Sequence, residues 1–172
     1  ARRFSTAGYR VAMLARNEGY LNSLSGEVTK VYATDLAFAA LKSSGSVVTW
    51  GTDLAGGASC AVTNNKNTVC VSVADKLTSD VIDVFAYNGA FVALKKNGAV
   101  VTWGVWGKYA SSWFSNSELE KATGGSLDSG VVALFDNASA MAALKKDGTV
   151  VTWGRRGAGG GSCRSVFPWY TC

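Results

Sequence analysis

The chain has 172 residues, which is long enough for one well-buried domain, and 48% of them are apolar. One proline and an ordinary apolar content exclude a disordered or linker-rich protein, and no apolar run approaches the roughly 18 residues that a membrane-spanning helix needs. The net charge is +5, and the absence of histidine excludes Ser-His-Asp and Cys-His catalysis, so we expect no enzyme, no metal site and no cofactor.

The first 27 residues differ from the rest and predict a helix–strand–helix extension. Val11, Met13 and Leu14 would dock on a neighbouring sheet, and Leu21 and Leu24 share one helical face. We expect this segment to cap one end of the structure that follows. Residues 1–28 also resemble part of a short-chain dehydrogenase. The glycine-rich dinucleotide loop and the Tyr-x-x-x-Lys motif of that family are absent, so no redox enzyme is predicted.

From residue 28 onward one sequence pattern occurs three times. It reads LAFAALKSSGSVVTWG at 36–51, GAFVALKKNGAVVTWG at 89–104 and SAMAALKKDGTVVTWG at 139–154. A valine at 28, 81 and 131 lies 22 residues before the tryptophan of each copy. A period near fifty predicts a tandem array of one unit, made of a strand, a short break, a second strand, a tight turn and a third strand. We divide the domain 28–172 into units 28–80, 81–130 and 131–172.

The turns and strands of the unit have their own signals. Asn97-Gly98 and Asp147-Gly148 predict two-residue hairpin turns, and Ser44-Gly45 is a weaker signal of the same kind. Apolar residues alternate with Lys, Ser or Thr, which indicates strands with one buried face. We expect each tryptophan to pack between neighbouring units. The predicted repeat core is Leu41, Trp50, Leu94, Trp103, Leu144 and Trp153.

The four cysteines form two short pairs, Cys60 with Cys70 and Cys163 with Cys172. Cys60 and Cys163 each lie ten residues after a repeat tryptophan. Two local disulfides explain this spacing, and they imply an oxidising compartment or an organelle lumen, with the plastid as one candidate. The alternative is four reduced, buried cysteines. The wide spacing and the missing histidine argue against zinc.

Residues 105–114, VWGKYASSWF, lie outside the repeat pattern and are rich in aromatic side chains. Exposed aromatic side chains often mark contact sites. The alternative is that they pack under their own loop. Arg155 and Arg156 follow the last repeat tryptophan, but two arginines are too few to signal nucleic-acid binding. The candidate partner contacts are Trp106, Tyr109, Trp113, Phe114, Arg155 and Arg156.

The repeat resembles the regulator of chromosome condensation (RCC1-like) family. The resemblance is carried by Ala143-Leu144, Asp147-Gly148 and Trp153-Gly154 and by the same positions of the other two units, over residues 28–154. Tandem ALKxDGxVVTWG arrays of algal and marine microbial proteins resemble it most closely. The resemblance implies a mainly β fold of blade-like repeats that serves as a binding platform. Three units predict a partial β-propeller, with a three-fold trefoil- or prism-like barrel as the alternative.

These observations favour a non-catalytic protein–protein interaction module. We expect an accessory subunit of a larger assembly, with protein partners covering the ends of the array. An organellar membrane complex such as an algal photosystem at the thylakoid is a candidate host, to which the chain would bind peripherally. One alternative is a small lectin-like ligand-binding protein. Another is a fragment of a chromatin or small-GTPase regulator.

Overall fold

A computed structural model describes residues 27–62, 70–87, 89–104, 127–137, 140–154 and 158–160. These residues form eleven strands and two short 3₁₀ turns, Asp53–Ala55 and Ala74–Leu77. The prediction of a mainly β fold is therefore confirmed. The strands are β1 Val28–Ala33, β2 Ala37–Lys42, β3 Val47–Gly51, β4 Cys60–Val62, β5 Cys70–Ser72, β6 Val81–Tyr87, β7 Ala90–Lys95, β8 Val100–Gly104, β9 Val131–Asn137, β10 Ala140–Lys145 and β11 Val150–Gly154.

Each repeat folds into an antiparallel meander of three strands. The sheets have the orders β1-β2-β3, β5-β4-β8-β7-β6 and β11-β10-β9. The first strands begin at Val28, Val81 and Val131, where the sequence pattern places them. Three separate sheets, rather than one closed barrel, confirm the blade-like prediction over the trefoil or prism alternative.

The hairpin between the second and third strands is one residue longer than predicted. In the middle unit the amide of Gly98 donates to the carbonyl of Lys95, and the amide of Lys95 donates to the carbonyl of Ala99. Only the glycine has a positive φ, +79°, so the loop is a three-residue turn with a left-handed glycine rather than a two-residue turn. The side chain of Asn97 supports the turn by accepting a bond from the amide of Ala99 at 3.0 Å.

A segment of the first sequence unit extends the sheet of the second. Strand β4 pairs in parallel with β8, with Ala61 opposite Gly104, and β5 pairs with β4. Strand β3, which occupies the position of β8 in the first sheet, lies at the edge of its sheet. Consecutive units are therefore linked by a donated strand as well as by packing.

The core consists of two apolar clusters, one between the first and second sheets and one between the second and third. In β7, Phe91 and Ala93 belong to the first cluster, whereas Ala90, Val92 and Leu94 belong to the second. The prediction of one buried face is wrong for this sheet. The reason is that blades stack face to face, so a middle blade has a neighbour on each side.

Several predicted features fall outside the described residues. They include the extension up to residue 26, Cys163 and Cys172. Cys60 and Cys70 begin β4 and β5, where the register sets Cys60 opposite Ser72 and Cys70 opposite Val62, so the two positions are diagonal neighbours. The disulfides stay a prediction. Among the described residues, no helix is long and apolar enough to cross a membrane.

Candidate interaction surface

The two interfaces between sheets use the same repeat positions. We call one side of each sheet the head face and the other the tail face. The head face of one unit packs on the tail face of the preceding unit in both clusters. In the middle unit the head face is Val84, Phe91, Ala93, Val101 and Trp103, and the tail face is Phe85, Ala90, Val92, Leu94 and Val100.

An aromatic pair anchors the head face of the middle unit. The rings of Phe91 and Trp103 stack with centroids 5.2 Å apart, and both side chains are fully buried. Nε1 of Trp103 donates to the carbonyl of Gly56 at 3.1 Å, which satisfies the polar atom of the ring inside the interface. Gly56 belongs to the turn that follows Trp50-Gly51 in the preceding unit. The indole of Trp103 therefore contacts both the backbone and the apolar surface of the preceding unit.

Gly56 must be a glycine for two reasons. Its φ is +96°, a conformation that L side chains rarely adopt. A Cβ there would also lie 2.6 Å from Cδ2 of Phe91 and 3.3 Å from Cδ1 of Trp103. The backbone of this turn thus packs directly against the aromatic pair of the next unit.

Backbone hydrogen bonds repeat at the other end of each interface. The amide of Val81 donates to the carbonyl of Gly45 at 2.9 Å, and the amide of Val131 donates to the carbonyl of Gly98 at 3.1 Å. Gly45 and Gly98 are the same hairpin position, and Val81 and Val131 are the same strand position. Because the same bond recurs at the same repeat position, the two interfaces share one docking geometry.

A polar side chain holds the turn after Trp-Gly in two of the units. In the first unit Thr34 donates to the carbonyl of Ala55 at 3.2 Å and accepts from the amide of Ala37. In the third unit Asn137 donates to the carbonyl of Ala158 at 3.0 Å and accepts from the amide of Ala140. Sequence reasoning missed this pair because Thr and Asn differ in type. Alignment of the repeats on their first valine would have placed them at one position.

One polar cluster is specific to the interface between the first two units. Tyr32 donates to Oδ1 of Asp83 at 2.5 Å, and Nζ of Lys30 lies 3.1 Å from the same oxygen. Burial raises the pKa of Asp83, but the hydrogen bonds from Tyr32 and Lys30 outweigh it and leave the pKa lowered. Burial, with the bond to Asp83, raises the pKa of Tyr32 well above its usual value. The cluster joins β1 to β6 and carries no catalytic arrangement.

The end units each have one face on which no described sheet packs, and apolar residues on it are exposed. On the first unit Val31 is 44% and Phe38 is 42% exposed, whereas their middle-unit equivalents Val84 and Phe91 are at most 2% exposed. On the third unit Phe135 is 57% exposed, although the equivalent Phe85 is half-buried. The head face of the first unit and the tail face of the third unit therefore expose apolar residues at positions that the interior of the array buries, although Ala40 and Ala140 on these two faces are themselves buried.

The predicted repeat-core residues divide according to these faces. Leu41, Leu94, Trp103 and Trp153 are buried, and Trp50 and Leu144 are half-buried because they lie on the free end faces. The predicted partner contacts lie outside the described residues, namely Trp106, Tyr109, Trp113, Phe114, Arg155 and Arg156. In the described part of the chain, no group of three or more Cys, Asp or Glu side chains is arranged to hold a metal ion.

Comparison with known proteins bears on the fold. No protein-family model and no curated protein matches the sequence. Among solved structures, Prp20p of Saccharomyces cerevisiae, the yeast RCC1, matches with a TM-score of 0.50 and 21% identity over 81% of this chain and 34% of that chain. The fold is RCC1-like.

Two further solved structures are similar at lower scores. Human WBSCR16 has a TM-score of 0.45 and 18% identity, over 76% of this chain and 33% of that one. The CRINKLY WD40 ectodomain of the Arabidopsis thaliana receptor kinase ACR4 has a TM-score of 0.41 and 13% identity, over 80% and 40%. The chain thus spans about a third of the length of the RCC1-like structures that it matches. Its three units correspond to part of such a propeller.

Proposed function

We propose that this chain is a non-catalytic protein–protein interaction module that acts as an accessory subunit of a larger assembly. The observation that carries the proposal is the exposure of apolar residues on the two end faces. Val31 and Phe38 at one end, and Phe135 and Val150 at the other, are exposed at positions that the middle unit buries or half-buries. Apolar residues that are grouped on a sheet face, rather than scattered, mark contact surfaces.

The free edge of the first sheet supports the same proposal. Strand β3 ends its sheet, whereas its equivalent β8 receives β4 from the preceding unit. An edge without a described neighbouring strand, beside an apolar face, offers a partner both backbone hydrogen bonds and a surface to cover. The polar cluster at Asp83 links two strands of the array itself.

The test is the native size of the protein in a gentle extract of its source, followed by mass spectrometry of the co-migrating chains. We expect migration with a larger complex, and chemical cross-links from Lys30, Lys42 or Lys145 to other subunits. Variants Phe38→Ser and Phe135→Ser should weaken co-migration, while Ile82→Ser should not, since Ile82 is equally exposed on the middle unit. Migration at the size of the free chain would refute the proposal, and the identified subunits would show whether the host is an organellar membrane complex.

The regulatory alternative has a separate test. Prp20p, whose fold this chain resembles, has binding properties toward Gsp1p and histones. A small GTPase, or a histone mixture, added to this chain should show no accelerated nucleotide exchange and no binding if the accessory-subunit proposal is right. Acceleration would favour the regulator.

A further inference from the structure

We propose that the uncovered head face of the first unit is the docking site for the uncovered tail face of the third unit of a second copy of this chain. The inference deepens the proposed function and rests on its premise that the end faces bind protein. Its basis is that the same head-on-tail interface already occurs twice inside the chain. The occupant of each free face is therefore defined by the surface that fills the equivalent face in the interior.

The free head face carries the parts that the interior interface uses. Phe38 and Trp50 stack with centroids 5.5 Å apart, as Phe91 and Trp103 do in the middle unit. Nε1 of Trp50 is buried and has no acceptor among the described residues, whereas Nε1 of Trp103 binds the carbonyl of Gly56. Nε1 of Trp153 also has no described acceptor, but the equivalent turn position for it, residue 109, lies outside the described residues. The head face thus carries the same aromatic pair as the interior interface, and the indole donor of Trp50, which is buried in this structure, lacks a described acceptor.

The tail face of the third unit has a turn that corresponds to the turn at Gly56. Gly159 is the equivalent of Gly56 and has nearly the same backbone, with a φ of +90° against +96°. No described atom lies within 4 Å of a Cβ at Gly159, whereas a Cβ at Gly56 would overlap Phe91. Asn137 holds this turn through the carbonyl of Ala158, as Thr34 holds the first turn. The turn is therefore preformed, and no described atom occupies the space that an aromatic pair fills in the interior.

The hairpins agree with this assignment. The carbonyls of Gly45 and Gly98 each accept a backbone hydrogen bond from the first strand of the next unit. A Cβ at Gly98 would lie 2.5 Å from the backbone nitrogen of Gly130, but no described atom lies within 4 Å of a Cβ at Gly148. A head and a tail are different surfaces, so the contact is heterologous and closes only if the rotation per unit permits it. Two copies would supply six units, within the four to eight blades typical of propellers.

The experiment uses the purified full chain and sedimentation velocity at concentrations up to about 100 µM. We expect a species of at least twice 17.9 kDa. Phe38→Asp disrupts the head, and Gly159→Asn places a side chain in the open space of the tail, so each variant alone should be monomeric. Ile82→Asp is the control, since it adds the same charge at an equally exposed site of the middle unit, and it should assemble as the unmodified chain does. Circular dichroism verifies that each variant is folded.

Mixing the two variants decides the geometry. The Phe38→Asp chain keeps an intact tail and the Gly159→Asn chain keeps an intact head, so an equimolar mixture should recover a dimer that neither forms alone. A monomeric unmodified chain at the highest concentration would overturn the inference and would indicate that another part of the same chain covers the head face. Assembly by Gly159→Asn alone, without rescue on mixing, would overturn it in favour of head-to-head contact. These outcomes concern the purified chain only, so they are independent of whether a larger complex is found in the extract.

Discussion

Replacing Gly56 by alanine tests whether the turn after Trp-Gly is packed against the next unit. The new Cβ would lie 2.6 Å from Cδ2 and 2.8 Å from Cε2 of Phe91, a ring that is fully buried and already stacked on Trp103. Forcing one extra carbon into a filled core costs about 1–3 kcal/mol. An L residue in a left-handed conformation costs a further 1–2 kcal/mol or so. The free energy of unfolding of Gly56→Ala should therefore fall by about 2–5 kcal/mol.

Gly159→Ala is the matched control for this change. The two glycines have nearly equal φ values, so the backbone strain is the same, but at Gly159 no described atom opposes a new Cβ. Its cost should be the strain alone, about 1–2 kcal/mol. The difference between the two variants then isolates packing between units from backbone conformation.

The assay is urea unfolding followed by tryptophan fluorescence, at a protein concentration where sedimentation shows a monomer. For a chain of this size each kcal/mol also lowers Tm by about 2–4 °C, which gives a second measurement. Equal losses for Gly56→Ala and Gly159→Ala would refute the reasoning, because they would mean that strain accounts for everything and that Phe91 does not close over Gly56. A smaller loss for Gly56→Ala would refute it more strongly.

Three further predictions follow from the same interfaces. Phe91→Ala should cost about 3–5 kcal/mol because the ring is fully buried, and Phe38→Ala under about 1 kcal/mol in the monomer because its ring is exposed; equal costs in urea unfolding would contradict this. Asp83→Asn should lower the free energy of unfolding by under about 1 kcal/mol, since the ion pair between Lys30 and Asp83 is partly exposed. Its lowered pKa means that this contribution is full at neutral pH and is lost as the pH falls below about 4, so the variant's stability should depend less on pH there than that of the unmodified chain. Thr34→Val should cost about 1–2 kcal/mol by leaving the carbonyl of Ala55 without this bond, and Thr34→Ser should restore most of it, as measured by Tm.

The sequence predicted the strands well because the repeat supplies three independent readings of each position. Val28, Val81 and Val131 all begin a strand, and the glycine after each tryptophan ends the last strand of its meander. The hairpin length was predicted one residue short. An Asn-Gly or Asp-Gly pair satisfies both a two-residue loop and the left-handed glycine of a three-residue loop, so composition alone does not separate them.

The burial of both faces of the middle sheet was missed, although a signal for it exists. Residues 90–94 read AFVAL, a continuous apolar run, and such a run is typical of a strand covered on both sides. The first and third units read AFAAL and AMAAL, which are equally continuous, and yet their outer faces are free. Local pattern therefore shows that a face is fit to be buried. It does not show whether a neighbour is present, because that depends on position in the array.

The same distinction applies to the end faces of the three units: they are suited to burial, but no described sheet packs on them. In a repeat protein the stability is approximately a sum of unit terms and interface terms between neighbours. Three units make two such interfaces, each an apolar cluster, and no described sheet packs on the head face of the first unit or on the tail face of the third. In the proposed dimer a contact between chains would have the same chemistry as these two interfaces, and a closed pair would cover every head face and every tail face. Phe38 and Phe135 would contribute more to stability if these faces were covered, since each of them is more than 40% exposed here.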